Sequence, residues 1–355
     1  MNLDDLRRKI DETDARIVKL IAERLRIAEE IGRSKREHGN QIEDREREQK
    51  VLNNVKALAQ KDNISQEDIE NVYQQIVRIS KSKQGITVAF QGEAGAYSEE
   101  AAFRFFGTSI VAQPGESLED VFQVVEQGEA QFAIVPVENS LEGSVSRAYD
   151  LLLDSSLMVC GEVELRVSHC LIANPRARLD LIKKVYSHPQ ALGQCRSFLR
   201  QLNCELVPTH DTAGSVRMVK EQGTNDSAAI ASARAAEIYG MKILAREIED
   251  NQNNITRFFI LSKQDSPPSG NDKTSIVFSV RHRPGALYLA LSQFATRNIN
   301  LTKIESRPTR QKPWEYNFYL DFQGHHQDKA AQEVLELLAE TSIFVKVLGS
   351  YPKAK

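Results

Sequence analysis

Apolar residues in positions 3–31 recur at three- and four-residue steps: Leu3, Leu6, Ile10, Thr13, Ile17, Leu20, Arg24, Ile27 and Ile31. That spacing is a coiled-coil seam and predicts one long helix. Val18, Ile21, Leu25 and Ala28 widen the apolar face, so the helix must pack on a partner. His38-Gly39-Asn40 breaks the pattern, and a second helical segment follows with Val51, Leu52, Val55 and Leu58 on one side. Asp62-Asn63 ends it. Ser65, with Asp68 three residues on, reads as the N-cap of a third helix. The apolar line of that helix, Ile69, Tyr73 and Ile76, runs on to Ser80 and Gln84.

From Gly85 the period changes. Short apolar runs at 86–90, 132–137, 182–186, 204–207 and 228–231 read as strands, each leading through polar turns into a helix. This alternation predicts a mostly parallel sheet with ligands at the strands' carboxyl ends, and the length through Lys263 suggests two α/β lobes around a cleft. Ser98 and Thr212 read as helix caps. Residues 264–273 (QDSPPSGNDK) read as a linker. Beyond it come a strand (274–280), a helix to about 296, strands at 299–304 and 314–322, a helix at 327–340 and a last strand to 348. That order is βαββαβ, the ferredoxin-like arrangement.

The 355 residues suggest two or three domains at roughly 150 residues each. A net charge of −3 lacks the basic excess of a nucleic-acid binder. No apolar run is long enough to span a bilayer, and the N-terminus has neither signal nor transit character. The four cysteines make no C-x-x-C pair, so reduced thiols in the cytoplasm are expected. The seven histidines have no ligand spacing, so no metal is expected.

Chemistry enters with the charges on the helical seam. Arg24 occupies a seam position, where it either snorkels to the surface, fixes register, or faces a cavity. Arg7, Arg24, Lys35, Arg45, Ser80 and Gln84 could all face one cavity, which would suit a small polyanion. Residues 1–84 resemble the all-helical chorismate mutases in L-R-R-K-I (6–10), A-E-R (22–24), I-G-R-S-K (31–35), D-R-E-R (44–47) and S-K-S-K-Q (80–84). The resemblance implies that Arg7 from a second copy, Arg24 and Arg45 bind two carboxylates, and that Lys35 and Gln84 donate to the ether oxygen. It further implies that Glu46 holds the ring hydroxyl and that Ser80 assists binding. The rearrangement of chorismate to prephenate needs no nucleophile and no cofactor. It needs a held conformer and donors where negative charge grows.

In the middle third, hydroxyls, amides and charges collect at strand ends: Asn139, Ser140, Ser187, His188, Thr212, Thr256 and Arg257. Three stretches here resemble the prephenate dehydratases: V-P-V-E-N-S-x-x-G-S-V (135–145), Y-S-H-P-Q (186–190) with Gln194 beyond, and N-I-T-R-F (254–258). The resemblance covers 86–263 and implies two lobes like a periplasmic binding protein. It implicates Asn139, Ser187, Gln194, Thr256 and Arg257. Thr256 is expected to hydrogen-bond the leaving hydroxyl, with His188 and Glu138 as second choices for proton donor. Arg257 either anchors a carboxylate or pairs with an acid on a neighbouring strand.

Residues 274–351 resemble the ACT regulatory domains through R-P-G-A-L (283–287) and E-S-R-P (305–308). That resemblance implies phenylalanine at a dimer interface, held by Gly285, Ala286 and Leu287 and by Glu305, Ser306, Arg307 and Pro308. The expected protein is multidomain: an all-α mutase domain (1–84), a two-lobed α/β dehydratase domain (86–263) and an α+β ferredoxin-like domain (274–351). It would convert chorismate to prephenate and prephenate to phenylpyruvate, without cofactors, under phenylalanine inhibition, as a cytoplasmic homodimer or larger homo-oligomer. The alternative is a non-catalytic amino-acid-binding regulator whose helices form a dimerisation arm.

Overall fold

The computed structural model describes residues 3–37, 45–61, 64–83, 85–108, 110–309 and 314–354, with side chains 29, 32–37, 45–49, 78 and 81–83 left out. The chain opens with α1 (Leu3–Glu37), α2 (Arg45–Lys61) and α3 (Gln66–Lys83). Ser65 caps α3 through its Oγ, which accepts from Asp68 N at 3.3 Å. Helix α3 packs on both α1 and α2, and Lys56–Glu70 at 2.8 Å ties α2 to α3. Ala28, Val55 and Ala59 are buried, but most of the α1 seam is not covered: Leu3, Ile10 and Leu20 are 62%, 59% and 64% exposed.

The first lobe contains β1 (Thr87–Gln91), α4 (Tyr97–Phe106), β2 (Val111–Gly115), α5 (Leu118–Gln127), β3 (Phe132–Asn139), β4 (Gly143–Ser144), α6 (Ser146–Asp154) and β5 (Met158–Arg166). The second contains β6 (Cys170–Ala173), β7 (Lys184–Ser187), α7 (Pro189–Gln194), α8 (Arg196–Leu202), β8 (Glu205–Pro208), α9 (Thr212–Gln222), β9 (Ser227–Ala231), α10 (Ala233–Tyr239) and β10 (Lys242–Ala245). Strand β11 (Ile255–Ser262) returns to the first sheet, whose order is β2-β1-β3-β11-β5 with β4 on β3. The second sheet runs β10-β6-β9-β7-β8. The chain therefore crosses between lobes twice, through residues 167–169 and 246–254.

The expected mostly parallel sheet is corrected to two mixed sheets. Strand β11 lies antiparallel between β3 and β5, and β6 is antiparallel to both β9 and β10. Among the second-lobe pairs, β7 is parallel to β8 and β9, as a strand–helix–strand alternation requires. Each strand that borders a crossing has an antiparallel partner. Two cap readings are also corrected. Ser98 and Thr212 lie inside the first turns of α4 and α9, and the α9 cap is Asp211, whose Oδ1 accepts from Gly214 N at 2.6 Å.

A third sheet holds β12 (Asp272–Ser279), α11 (Ala286–Thr296), β13 (Leu301–Pro308), β14 (Tyr316–Gln323), α12 (Lys329–Thr341) and β15 (Phe344–Pro352), in the order β13-β14-β12-β15. Strand alternation gives it two apolar faces. Ile276, Phe278, Leu320 and Phe322 pack under α11 and α12. Val277, Tyr319, Leu348 and Tyr351 share a core with Val135, Tyr149 and Phe259 of the first lobe. The stretch read as a linker is accordingly fixed: Ser266 is buried and donates to Cys160 O at 2.8 Å, and Asp272 and Lys273 already belong to β12. Ser266, Asp272 and Lys273 are buried, while Gln264, Ser269 and Asn271 stay exposed.

Candidate functional site

Strands β3 and β11 pair so that Asn139 stands opposite Thr256, and Glu138 opposite Arg257. The turn after β3 is held by Ser140, whose Oγ donates to Asn253 O at 2.7 Å and accepts from Ile255 N at 2.9 Å. Asn139 Oδ1 accepts the N–H groups of Leu141 and Glu142 at 3.0 and 3.1 Å, which fixes the orientation of its amide. Asn139 Nδ2 then donates to Thr256 Oγ1 at 3.0 Å and to Asn254 Oδ1 at 2.7 Å. With a lone pair of Thr256 Oγ1 occupied this way, its hydroxyl proton is available to a ligand.

Gln194, the last residue of α7, joins this cluster from the second lobe: its Oε1 accepts from Asn254 Nδ2 at 2.9 Å. Ser187 does not join it. Its hydroxyl is fully buried at the end of β7 and donates to Ile230 O at 2.7 Å. His188 caps α7, its Nδ1 accepting from Gln190 N at 3.2 Å, and burial lowers its pKa. Glu138 pairs with Lys303 of β13 at 2.9 Å.

Arg257 follows the second of its two sequence readings. Its guanidinium leaves the Thr256 face and lies 2.7 Å from Glu162 on neighbouring β5, 2.7 Å from Asp321 on β14 and 2.9 Å from Tyr351 Oη on β15. Burial opposes its charge, but Tyr351, Asp321 and Glu162 outweigh that and raise its pKa. The expectation that it anchors a substrate carboxylate is therefore corrected: alternation along the strand turns it from the cleft, and each guanidinium nitrogen is already bonded to Glu162, Asp321 or Tyr351.

Two residues absent from the sequence candidates complete the cluster. His169, 2% exposed, places Nε2 2.9 Å from Gln194 Oε1 and Nδ1 2.8 Å from Tyr97 Oη. No motif spacing singles out His169 or Tyr97, whereas Asn254 lay within the N-I-T-R-F stretch and was legible as a polar residue beside Thr256. A cavity of about 610 Å³ opens beside Tyr97, Ser168 and Ser232, but Asn139, Ser187, Gln194 and Thr256 do not line it. At the loop after β1, Gly95 N donates to Glu99 Oε2 at 2.8 Å, so the protein's own carboxylate takes up that N–H. A side chain at Gly95 would press on Ala235 Cα at 2.7 Å.

In the helical unit, Arg24 reaches from α1 to α3, where Nη1 donates to Ser80 Oγ and to Ile76 O at 3.5 Å. Ser80 is buried and donates to Ile76 O at 2.7 Å. Arg7 is exposed, 3.6 Å from Asp4. Lys35, Arg45 and Glu46 are placed on helices, but their side chains, and all of Gln84, lie outside the described residues.

In the third sheet Gly285 adopts φ 78°, a left-handed conformation that glycine takes without strain, and starts α11 ahead of Ala286 and Leu287. Ala286 and Leu287 line a cavity of about 150 Å³ with Arg283, Trp314, Phe318 and Ile343. Glu305 and Arg307 instead face the first lobe, Glu305 bonding Ser144 and Arg307 bonding Asp150 at 2.8 Å. Glu305, Ser306, Arg307 and Pro308 do not line that cavity. Asp265, His325 and His326 also cluster, but His325 donates from Nε2 to Ser266 O and accepts at Nδ1 from Gln327 N, leaving no lone pair for an ion.

A helical unit, a two-lobed α/β body with its polar cluster at the crossings, and a ferredoxin-like sheet define a multidomain enzyme with a regulatory module. The chorismate mutase type II family matches residues 6–85, the prephenate dehydratase family 88–266 and the ACT domain family 274–339. A bifunctional chorismate mutase/prephenate dehydratase of Stutzerimonas stutzeri is 41% identical over 99% of this chain and 98% of its own length. The chain belongs to the bifunctional chorismate mutase/prephenate dehydratase family. Among solved structures, the prephenate dehydratase of Arthrobacter aurescens in complex with L-Phe is 33% identical, with TM-score 0.70, over 76% of this chain and 90% of that one. GqqA, described as a novel type of quorum quenching acylase, is 36% identical, with TM-score 0.70, over 75% of this chain and 97% of that one.

Proposed function

We propose that this chain performs two consecutive reactions under feedback control: chorismate to prephenate in residues 1–84, and prephenate to phenylpyruvate in 86–263, with phenylalanine acting through 274–351. The observation that carries the second reaction is the Asn139–Thr256 contact, which leaves a threonine hydroxyl free to donate beside a second amide, Gln194. Prephenate loses its ring carboxylate as carbon dioxide and its 4-hydroxyl, with one proton, as water. Aromatisation drives the loss. Thr256 donates a hydrogen bond to the departing oxygen, where negative charge develops. Gln194 binds and orients the substrate, Asn139 holds the Thr256 hydroxyl toward it, and Ser187 ties the end of β7 to β9. Arg257 has no part in substrate binding in this reading.

The rearrangement of chorismate is unimolecular, so the helical unit needs only to hold a conformer and stabilise charge. Arg24, beside buried Ser80, supports that reading. Arg24, Arg45 and Arg7 of a second copy bind the carboxylates, Glu46 and Ser80 hold the ring side, and Lys35 and Gln84 donate to the ether oxygen. A second copy is supported by the uncovered seam of α1, since an apolar stripe of that length is unstable against water. For phenylalanine, a site between copies would join the Gly285–Leu287 helix start of one chain to Glu305–Pro308 of another. The cytoplasm is the proposed compartment. Among the described residues Cys160, Cys170, Cys195 and Cys204 form no disulfide, and no helix is long and apolar enough to cross a membrane.

The test is separation of the sites in the full chain. Lys35→Ala should abolish mutase turnover and spare dehydratase turnover, and Thr256→Ala should do the reverse. Loss of both activities from either change in a folded protein would overturn the assignment.

A further inference from the structure

We propose that His169, held by Tyr97, is a positioning residue of the dehydratase: it decides which atoms of Gln194 and Thr256 are left to face substrate. This rests on the reading of that site given above. The argument starts from an anchor whose polarity is not in question. Backbone N–H groups of Leu141 and Glu142 both donate to Asn139 Oδ1, so the other end of that amide is the NH2. Its two protons go to Thr256 Oγ1 and Asn254 Oδ1. The Asn254 amide is thereby oriented too, and its NH2 meets Gln194 Oε1. Gln194 Oε1 is an acceptor, so the ring nitrogen 2.9 Å from it, His169 Nε2, must carry a proton.

His169 is 2% exposed, and desolvation lowers its pKa, so the ring is neutral near pH 7. A neutral ring protonated at Nε2 has a bare Nδ1, and Tyr97 Oη lies 2.8 Å from it as the donor. The chain of five side chains beyond Thr256 thus has one direction. It leaves the Thr256 hydroxyl proton, at one end, and the Gln194 NH2, midway along, uncommitted among the described residues. A ring protonated at Nδ1 instead would set two lone pairs against each other at Gln194 Oε1 and would turn that amide over, presenting an acceptor where the site needs a donor. The remaining groups around the ring are already committed. Glu249 accepts His169 N at 2.9 Å and pairs with Arg166 at 3.1 Å. Ser168 O also lies 2.8 Å from Tyr97 Oη, but a phenol proton placed there would set a lone pair of Oη against the bare Nδ1, so the ring takes it.

The experiment compares His169→Gln, His169→Asn, Tyr97→Phe and Thr256→Ala in the full chain, with prephenate for the dehydratase and chorismate for the mutase in the same preparations. A glutamine amide N–H reaches the place of Nε2–H, and an asparagine, one bond shorter, does not. His169→Asn should lose about 10²-fold in dehydratase kcat/KM, the scale of misplaced catalytic groups, and His169→Gln should stay within about tenfold of the parent. Tyr97→Phe should fall between them, and mutase turnover should be unchanged throughout. Independently of any variant, nitrogen NMR of the parent should find the His169 proton on Nε2. Equal losses in His169→Gln and His169→Asn, no loss in either, or a proton on Nδ1 would overturn the proposal. Full dehydratase turnover in Thr256→Ala would overturn the site reading itself, and this proposal with it.

Discussion

Thr256 and Arg257 are consecutive on β11 and serve opposite faces of the sheet. Thr256 Oγ1 accepts from Asn139 at 3.0 Å, and Arg257 Nη1 lies 2.7 Å from Asp321 of the third sheet. Their partners across the ladder divide in the same way, with Asn139 on the cleft side and Glu138 paired to Lys303. One strand pair therefore carries the proposed catalytic donor on one face and an ion network to the regulatory module on the other. A shift of the third sheet has a short mechanical path to Thr256.

Asp321→Ala is expected to act in two ways. It leaves a buried guanidinium with a lost partner, so stability should fall by about 3 kcal/mol in urea unfolding. It also weakens the link between the sheets, so the phenylalanine concentration giving half inhibition should rise about tenfold, within the usual range of coupling energies. Unchanged inhibition in the folded variant would mean that the two faces of β11 are uncoupled. Deleting residues 264–355 is a poorer test, because Tyr319, Leu348 and Tyr351 share a core with Phe259.

Replacing Thr256 by alanine should cost about 10²- to 10³-fold in dehydratase kcat, the usual cost of one donor to developing charge. Thr256→Ser keeps the hydroxyl and should recover most of it. Steady-state rates with prephenate check both.

The proposed role of Gln84 is that of a neutral donor, which does not titrate. Gln84→Glu should donate only when protonated, so its mutase turnover should be higher at acid pH than at alkaline pH. Equal mutase rates for that variant at about pH 5 and about pH 8 would remove Gln84 from the site.

Burial lowers the pKa values of His169, His188 and His326 from the ordinary 6.5. As pH falls through 6.5 the unfolded chain therefore takes up protons before the folded one. These groups leave stability intact above that value and erode it below, down to the folded pKa values. Urea midpoints measured between about pH 8 and about pH 5 should decline on the acid side, and His169→Gln should flatten part of the decline.

Much of this was legible before any coordinates. The α1 seam, the Ser65 cap and the βαββαβ order follow from local periodicity and turn chemistry, which a single sequence carries. What was not legible depends on partners distant in sequence. Arg257 reads equally well as a carboxylate anchor or a structural cation until Glu162 and Asp321, 95 and 64 residues away, are placed beside it. His169 is an unremarked residue in V-S-H-C until the crossing between lobes sets it against Gln194 and Tyr97. The antiparallel place of β11 also escaped, because strand direction belongs to the crossing and not to the strand's own residues.

The central claim, that two active sites work in series on one chain, is tested most directly by giving the purified protein chorismate alone and following phenylpyruvate by absorbance. The account predicts that phenylpyruvate appears with no added enzyme or cofactor and that phenylalanine suppresses it. Chorismate left unchanged, or prephenate accumulating with no phenylpyruvate, would contradict it.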